Sequence, residues 1–479
     1  MSQYDLIVRN GTVIDGTRAP RFKADVAVKD GRIAKVGDLA GERSREEFDA
    51  EGRIVAPGFI DAHTHDDRLM LSAPEMAPKV SQGVTTVVAG NCGVSLAPIR
   101  FKGKPPTPPL DLLDDSGGWF RFDSFAEYVA ALRDAPAATN AALLVGHTTL
   151  RCATMDDVDR AARPAEIARM QAMVREALGA GAIGVSTGLY YEPAIAAPAE
   201  EVIEVCRPLA EFRGVYCTHM RNEADDVLKS MDETFRIGRE LGVPVVVSHH
   251  KVVGKANSGR SKETLALLEE RMKSQAVCLD CYPYMASSTI LTADRIAIAS
   301  KTLVTWSKPM PQHAGRDLAD IAREMGVTPE AAVAKLIPAG AIYFSMDEAD
   351  VQKILAFAPT MVGSDGIPHD AAPHPRLWGT FPRVLGHYSR ELGLFPLETA
   401  VHKMTGLTAR NFGLTDRGVL REGAHADLVV FDAATVDEAA TFARPIQPAR
   451  GIDAVFVNGS AVWRDGQPTG ARPGKVLTR

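Results

Sequence analysis

Cysteine is scarce in this 479-residue chain: there are six, too few for a disulfide framework at this length. The single CxxC, Cys278 and Cys281 in "VCLDCYPY", has no second pair to complete a four-ligand structural zinc site, so both are expected to pack on one strand. Neither sign of charge dominates. Lys plus Arg number 54 against 60 Asp plus Glu, a formal net charge of −6, which leaves no basic footprint for nucleic acid. No run reaches the roughly 18 consecutive apolar residues of a membrane helix, and the start "MSQYDLIVRNGTVIDG" lacks a basic segment followed by an apolar signal core. The expectation is a cytoplasmic protein, monomer or small homo-oligomer, with neither nucleic acid nor membrane as a partner. What is present, 46% hydrophobic and 24% charged residues, is ordinary globular composition in a chain long enough for one large barrel with additions.

The two ends read alike. "YDLIVRNGTVIDG" and "KADVAVKDGRIAKVGD" carry the hairpin signals Asn10-Gly11 and Asp30-Gly31, and "GVLREGAHADLVVFD" and "DAVFVNGSAVWRDG" repeat that style near the other end. A small β-sandwich built from residues 1–56 and 414–479 follows. Between them, short apolar runs alternate with amphipathic stretches such as "RPAEIARMQAMVREALGAG", the mark of parallel strands with crossover helices. Eight or nine strands are expected: Val55 to Ile60, Thr85 to Ala89, Ala142 to Val145, Ile183 to Ser186, Val215 to Thr218, Val245 to Ser248, Val277 to Asp280, and Ile342 to Phe344 with Met361 to Gly363. This is an α/β chain with a (β/α)8 TIM barrel over 57–413, whose chemistry gathers at the C-terminal strand ends. Residues from about 285 to 340 are too long for a βα loop and read as an inserted cap; the Pro-rich 101–115 reads as a second long, irregular loop.

Against this strand list the polar residues fall into order. His63 and His65 of "GFIDAHTHDD" end the first strand, Asn91 and Cys92 follow the second, and His147 the third; His219, the pair His249 and His250, and Asp365 lie at later strand ends. Residues two apart on an extended chain share a face, so His63 and His65 can reach one ion. Imidazole and thiolate suit zinc, and a catalytic zinc keeps one position for water.

These motifs resemble a known family. "PGFIDAHTH", "GVTTVV", "SHHK", "GSDG" and "GVLREGAHADLVVFD" are similar to those of the amidohydrolase superfamily, over nearly the whole chain. "GNCGVS", "STGLYYEP", "THMRNE", "DCYPY" and "GSDGIPHDAAPHPRLWGTFPRVLG" resemble its N-acyl-D-amino-acid deacylases, the D-aminoacylase group. Many two-metal members bridge their ions with a carboxylated lysine on the fourth strand, yet "AGAIGVSTGLYY" has no lysine; in the resembled group a cysteine bridges, and Cys92 matches it. The resemblance implies one tightly held Zn2+ on Cys92, His219 and His249. His63, His65 and Asp365 then line a second position that is weak or empty. His250 is expected to pack or support, and His147 carries no ligand role.

The implied reaction is hydrolysis of an N-acyl-D-amino acid, a small-molecule substrate, to a carboxylate and a free D-amino acid, with Asp365 as general base and then acid. Arg376 is expected to pair with the α-carboxylate, assisted by Tyr282 and Lys251, with Tyr191 lining the pocket. Arg295 offers a second cation for an acidic side chain, favouring N-acyl-D-glutamate, or else forms a cap salt bridge. The alternatives are a deacylase for hydrophobic D-residues and a cyclic amidohydrolase of the dihydropyrimidinase or hydantoinase kind. A barrel that has lost its metal and its activity is the third.

Overall fold

The computed structural model describes residues 3–101 and 106–479, so residues 102–105 of the Pro-rich loop lie outside the described ones. Eight parallel strands form the centre of the fold: β1 (Phe59–Asp61), β2 (Val84–Ala89), β3 (Asn140–Gly146), β4 (Gly184–Gly188), β5 (Val215–His219), β6 (Val245–Val247), β7 (Val277–Cys281) and β8 (Thr360–Val362). Each pairs with the next in this order. The ends of the series meet where Ala62 N donates to Val362 O at 3.2 Å and Asp365 N to His63 O at 2.8 Å.

The strands are short apolar runs because both faces are covered. Ile60, Val88, Leu144, Val215, Val246 and Met361 point into the barrel and form one buried cluster, floored by Phe412 and Leu477. Their neighbours, such as Val87, Val145, Val185 and Val247, join the outer cluster with helix residues including Val174 and Phe235. The helix Pro164–Ala180 shows how locally its ends are specified: proline opens its first turn, and Gly181 closes it at φ 118°. Cys278 and Cys281, three apart on β7, face opposite ways into these two clusters as packing residues.

The expected first strand, Val55 to Ile60, is two strands. Ile54–Pro57 pairs antiparallel with Leu428–Phe431, whereas β1 pairs parallel with β2. The break falls at Gly58, where an added Cβ would lie 2.1 Å from Thr85 Cγ2, so only glycine lets the chain pass from one sheet to the other. A continuous apolar run carries no mark of that change of sheet. Strands from both chain ends make a single nine-stranded mixed sheet, in which Tyr4–Val13 pairs with Phe22–Lys29, Ser44–Asp49 and Ile54–Pro57. Leu6, Val8 and Val28 share one buried cluster with Leu428, Val430 and Phe456 from the far side of that sheet, so the sheet folds over its own core as a sandwich does.

A second correction concerns Ile342 to Phe344. The strand there, Ala339–Phe344, is not in the barrel; it is the middle of a three-stranded antiparallel sheet, between Ala286–Ile290 and Lys301–Ser307. Its β-rich sequence fits either placement, but Val304, Ile321, Val333 and Tyr343 give this segment a core of its own. Thr360–Val362 alone is the eighth barrel strand.

Beneath the barrel mouth lies a buried cation. Lys79 Nζ is 2.9 Å from Asp61 Oδ2, 2.9 Å from Ser364 Oγ and 3.3 Å from Asp66 Oδ2, with all four side chains buried. It ties the end of β1 to the turn after β8. Burial would lower the lysine pKa, but Asp61 and Asp66 outweigh it and raise it, while burial pushes Asp66 up to about 6. Lys79→Met would strand two carboxylates without their cation, and is expected to destabilise the fold by about 3–5 kcal/mol, read as a lower urea midpoint at pH 7.

Candidate metal centre

The mouth of the barrel gathers six donor side chains. Cys92 Sγ is 3.2 Å from His63 Nε2 and 3.3 Å from His249 Nε2, and His249 Nε2 is 3.0 Å from His219 Nδ1. Asp365 Oδ1 stands 3.2 Å from His65 Nε2 and 3.5 Å from His63 Nε2. His63, Cys92, His249 and Asp365 can each turn one ligand atom to within 4.8 Å of the others. All six residues are buried. Lone pairs packed this closely away from water need a shared cation or protons, and sulfur among imidazoles is a donor set that suits a metal ion such as zinc. Tetrahedral zinc, with bonds of about 2.0–2.3 Å, holds its donors about 3.3–3.8 Å apart, close to the 3.0–3.3 Å between neighbouring donors here.

Unusual backbone aims three of the donors. Cys92, His249 and Asp365 have φ of 54°, 36° and 50°, in the left-handed region that side chains other than glycine seldom adopt. The "GNCG" turn allows it through Gly90, where an added Cβ would meet Leu144 O at 2.0 Å. Asp280 Oδ1 accepts from His249 N at 2.9 Å and lies 3.5 Å from His63 Nδ1, so one carboxylate on β7 steadies a ligand on each side of the cluster. Glu223 does the same from behind: its Oε1 is 3.2 Å from His249 Nδ1 and accepts from Lys251 Nζ at 2.6 Å, and its Oε2 is 3.7 Å from His219 Nε2. Sequence reasoning missed both supports. They stand inside the quoted strings "THMRNE" and "DCYPY", but only the folded chain shows what they face.

Burial and neighbours act against each other here. Burial would raise the Cys92 thiol, yet His63 and His249 beside it hold it well below the usual thiol range. Burial would likewise raise Asp365, and the facing Arg376 and His249 hold it well below the carboxylate range. His65 rises to about 9 despite burial because Asp365 and Cys92 favour its charged form. His250 is turned away, with Nε2 at 2.8 Å from Thr264 Oγ1, and burial takes it down to about 4. His147 faces Glu201 at 3.6 Å, apart from the cluster. Asn91 donates to Val88 O at 2.8 Å and serves the turn.

A narrow space of about 10 Å³ lies beside the donors, with Lys251, Arg295 and Tyr191 on its wall together with His65, Leu112 and Ile367. Tyr191 Oη is 3.0 Å from Thr289 Oγ1. Arg295 stacks on Tyr190 at 4.1 Å and donates to its hydroxyl at 3.0 Å; among the described residues no carboxylate pairs with it, so a cap salt bridge is not what it makes. Arg376 and Tyr282 stand behind this wall. Arg376 is buried, 3.0 Å from Asp365 Oδ2, with its guanidinium 4.6 Å from the Tyr282 ring. Arg376 Nε and Tyr282 Oη have no hydrogen-bond partner among the described residues.

The Amidohydrolase family model matches residues 46–327 and 353–469. A D-aminoacylase of Alcaligenes xylosoxydans xylosoxydans is 58% identical over 99% of this chain and 98% of its own length. An N-acyl-D-aspartate deacylase of the same organism is 55% identical over 99% and 95%. Among solved structures, a D-aminoacylase with a binuclear metal centre, in which one metal activates and the second attenuates, superposes with a TM-score of 0.97 at 60% identity, over 99% of this chain and 100% of its own. An N-acyl-D-glutamate deacylase of Bordetella bronchiseptica, holding zinc and a phosphonate inhibitor, gives 0.96 at 47% over 100% of both chains.

Proposed function

Because the chain belongs to the amidohydrolase family, and within it to the D-aminoacylase group, we propose that it hydrolyses the amide bond of N-acyl-D-amino acids with an acidic D-side chain, D-glutamate foremost. The observation that carries the acidic preference is Arg295, a buried guanidinium on the wall of the metal-site cavity with no carboxylate partner among the described residues. A charge in that position calls for an anion from the ligand.

Cys92, His219 and His249 would hold the tight zinc, and His63, His65 and Asp365 would line the second position. Bound there, zinc acidifies water and polarises the scissile carbonyl. Asp365 would accept a proton from the attacking water as the C–O bond forms, and then return it to the leaving amine as the C–N bond breaks. Glu223 and Asp280 hold the imidazoles in one orientation while this occurs. Lys251 meets the α-carboxylate at the cavity wall. Arg376 and Tyr282 stand ready behind it with free polar atoms, and a substrate carboxylate would draw Arg376 away from Asp365. The absence of any lysine on β4, with Cys92 reaching toward both His63 and His249, favours this reading over ring-opening of hydantoins or dihydropyrimidines.

The experiment is amino-acid release by zinc-loaded protein from N-acetyl-D-glutamate, N-acetyl-D-methionine and their L forms, with hydantoin alongside. D-glutamate release should be fastest. Arg295→Met is expected to lower kcat/KM for D-glutamate relative to D-methionine by about 10–100-fold, the worth of a hydrogen bond to a charged group. An unchanged ratio would remove the acidic preference and keep the deacylase.

A further inference from the structure

Outside the metal-site cavity lies a second and larger space of about 520 Å³, walled by Tyr190, Ile195, Ile290, Leu291, Ile337 and Pro338. The two spaces share Tyr191, and Asp111 of the outer one is the neighbour of Leu112 in the inner one. The outer space therefore adjoins the site as a vestibule, with Tyr191 between them. Among the described residues its charged members are Asp111, Glu192 and Asp294, all acidic, with Asp111 pushed up to about 7 by burial, and no lysine or arginine lines it. The cations Lys251 and Arg295 both face the inner cavity.

This division of charge orients the substrate. A D-amino acid with one or two carboxylates is attracted inward and repelled by the vestibule, so the part left at the vestibule is the acyl group, which carries no charge. The vestibule wall is mostly apolar, and two of its isoleucines, Ile195 and Ile337, are 52% and 48% exposed, so they have surface left to cover. At about 10 Å³ the inner space is far below the about 300–1,000 Å³ of a ligand site, so a long acyl chain finds room only in the outer space of about 520 Å³.

We propose that the vestibule is an acyl-chain subsite, and that the preferred substrates are N-acyl-D-amino acids carrying a straight apolar fatty acyl group rather than acetyl. The inference rests on the deacylase reading and names the other half of its substrate. Each methylene fully removed from water favours binding about fourfold.

The test measures kcat/KM of the zinc-loaded full chain on N-acetyl-, N-hexanoyl- and N-decanoyl-D-glutamate and on the same three D-methionine derivatives, for the native protein and for Ile195→Asp/Ile337→Asp. The native protein should gain at least tenfold from acetyl to decanoyl with either amino acid. The variant should lose most of that gain while keeping its N-acetyl rate, because both side chains are exposed and neither lines the metal-site cavity. A flat or falling series in the native protein, or an equal gain in the variant, overturns the subsite and leaves the deacylase intact. Failure to cleave any of the six substrates overturns the deacylase reading itself.

Discussion

Asp365→Asn is expected to lower kcat/KM for the N-acyl-D-amino acid by about 10²–10⁴-fold, the usual contribution of a general acid and base, while the protein keeps its tight zinc. Asparagine suits the experiment because it preserves shape and tolerates the left-handed backbone at this position, φ 50°, where alanine would add strain. The amide still accepts through its oxygen and can keep a contact to His65, now 3.2 Å from Oδ1. What it loses is the capacity to take a proton from water. Zinc content by elemental analysis, measured beside the rate, separates the roles. Loss of activity with one zinc retained assigns proton transfer to Asp365; loss of both would make it chiefly a ligand.

Cys92→Ser should remove the metal itself. Cys92 Sγ lies between His63 Nε2 and His249 Nε2, so on the proposed ligand set it is the donor that both positions share. A hydroxyl there is a poor zinc ligand at neutral pH, and the remaining imidazoles lose the anion that balances the ion's charge. Zinc affinity is expected to fall by more than 100-fold, beyond the 10–100-fold typical of losing a supporting residue, and hydrolysis with it. Competition against a chromogenic chelator reads the affinity without reference to turnover. An affinity within tenfold of the native value would show that the histidines alone hold the ion. Loss of Glu223 as Glu223→Gln should be milder, within that 10–100-fold range, because the amide still accepts from Lys251 and only the charge behind His219 and His249 is gone.

Much of this site was legible in the chain because a parallel barrel converts position into place. His63, Cys92, His219, His249 and Asp365 each follow a short apolar run, and strands that run parallel bring all such points to one rim. The supports were not legible in that way. Asp280 lies within β7 rather than after it, and Glu223 sits four residues past His219 in a stretch with no periodicity to place it. Their roles come from facing ring nitrogens across the barrel, a relation that spacing along the chain does not encode. The misplaced strand has a similar cause. Ile342 to Phe344 has the composition of a barrel strand, and what takes it elsewhere is a hydrophobic core formed with residues such as Val304 and Val333. At Gly58 the missing information was steric: glycine is visible, but the Thr85 side chain that forbids any other residue there is not.

The sheet shared by the two chain ends bears on the order of events during synthesis. Ile54–Pro57, which leads through Gly58 into the strand carrying His63 and His65, finds its antiparallel partner only in Leu428–Phe431. A ribosome must therefore deliver the whole barrel before the first strand is braced on its outer side. Pairings so distant in sequence close slowly, and until they form the early strands present unsatisfied edges that invite association with other nascent chains. On the proposed ligand set, zinc capture needs residues as far along as His249 and Asp365 and belongs to the late part of that sequence. Expression yield should thus respond more to slowed translation and chaperone supply than to zinc in the medium.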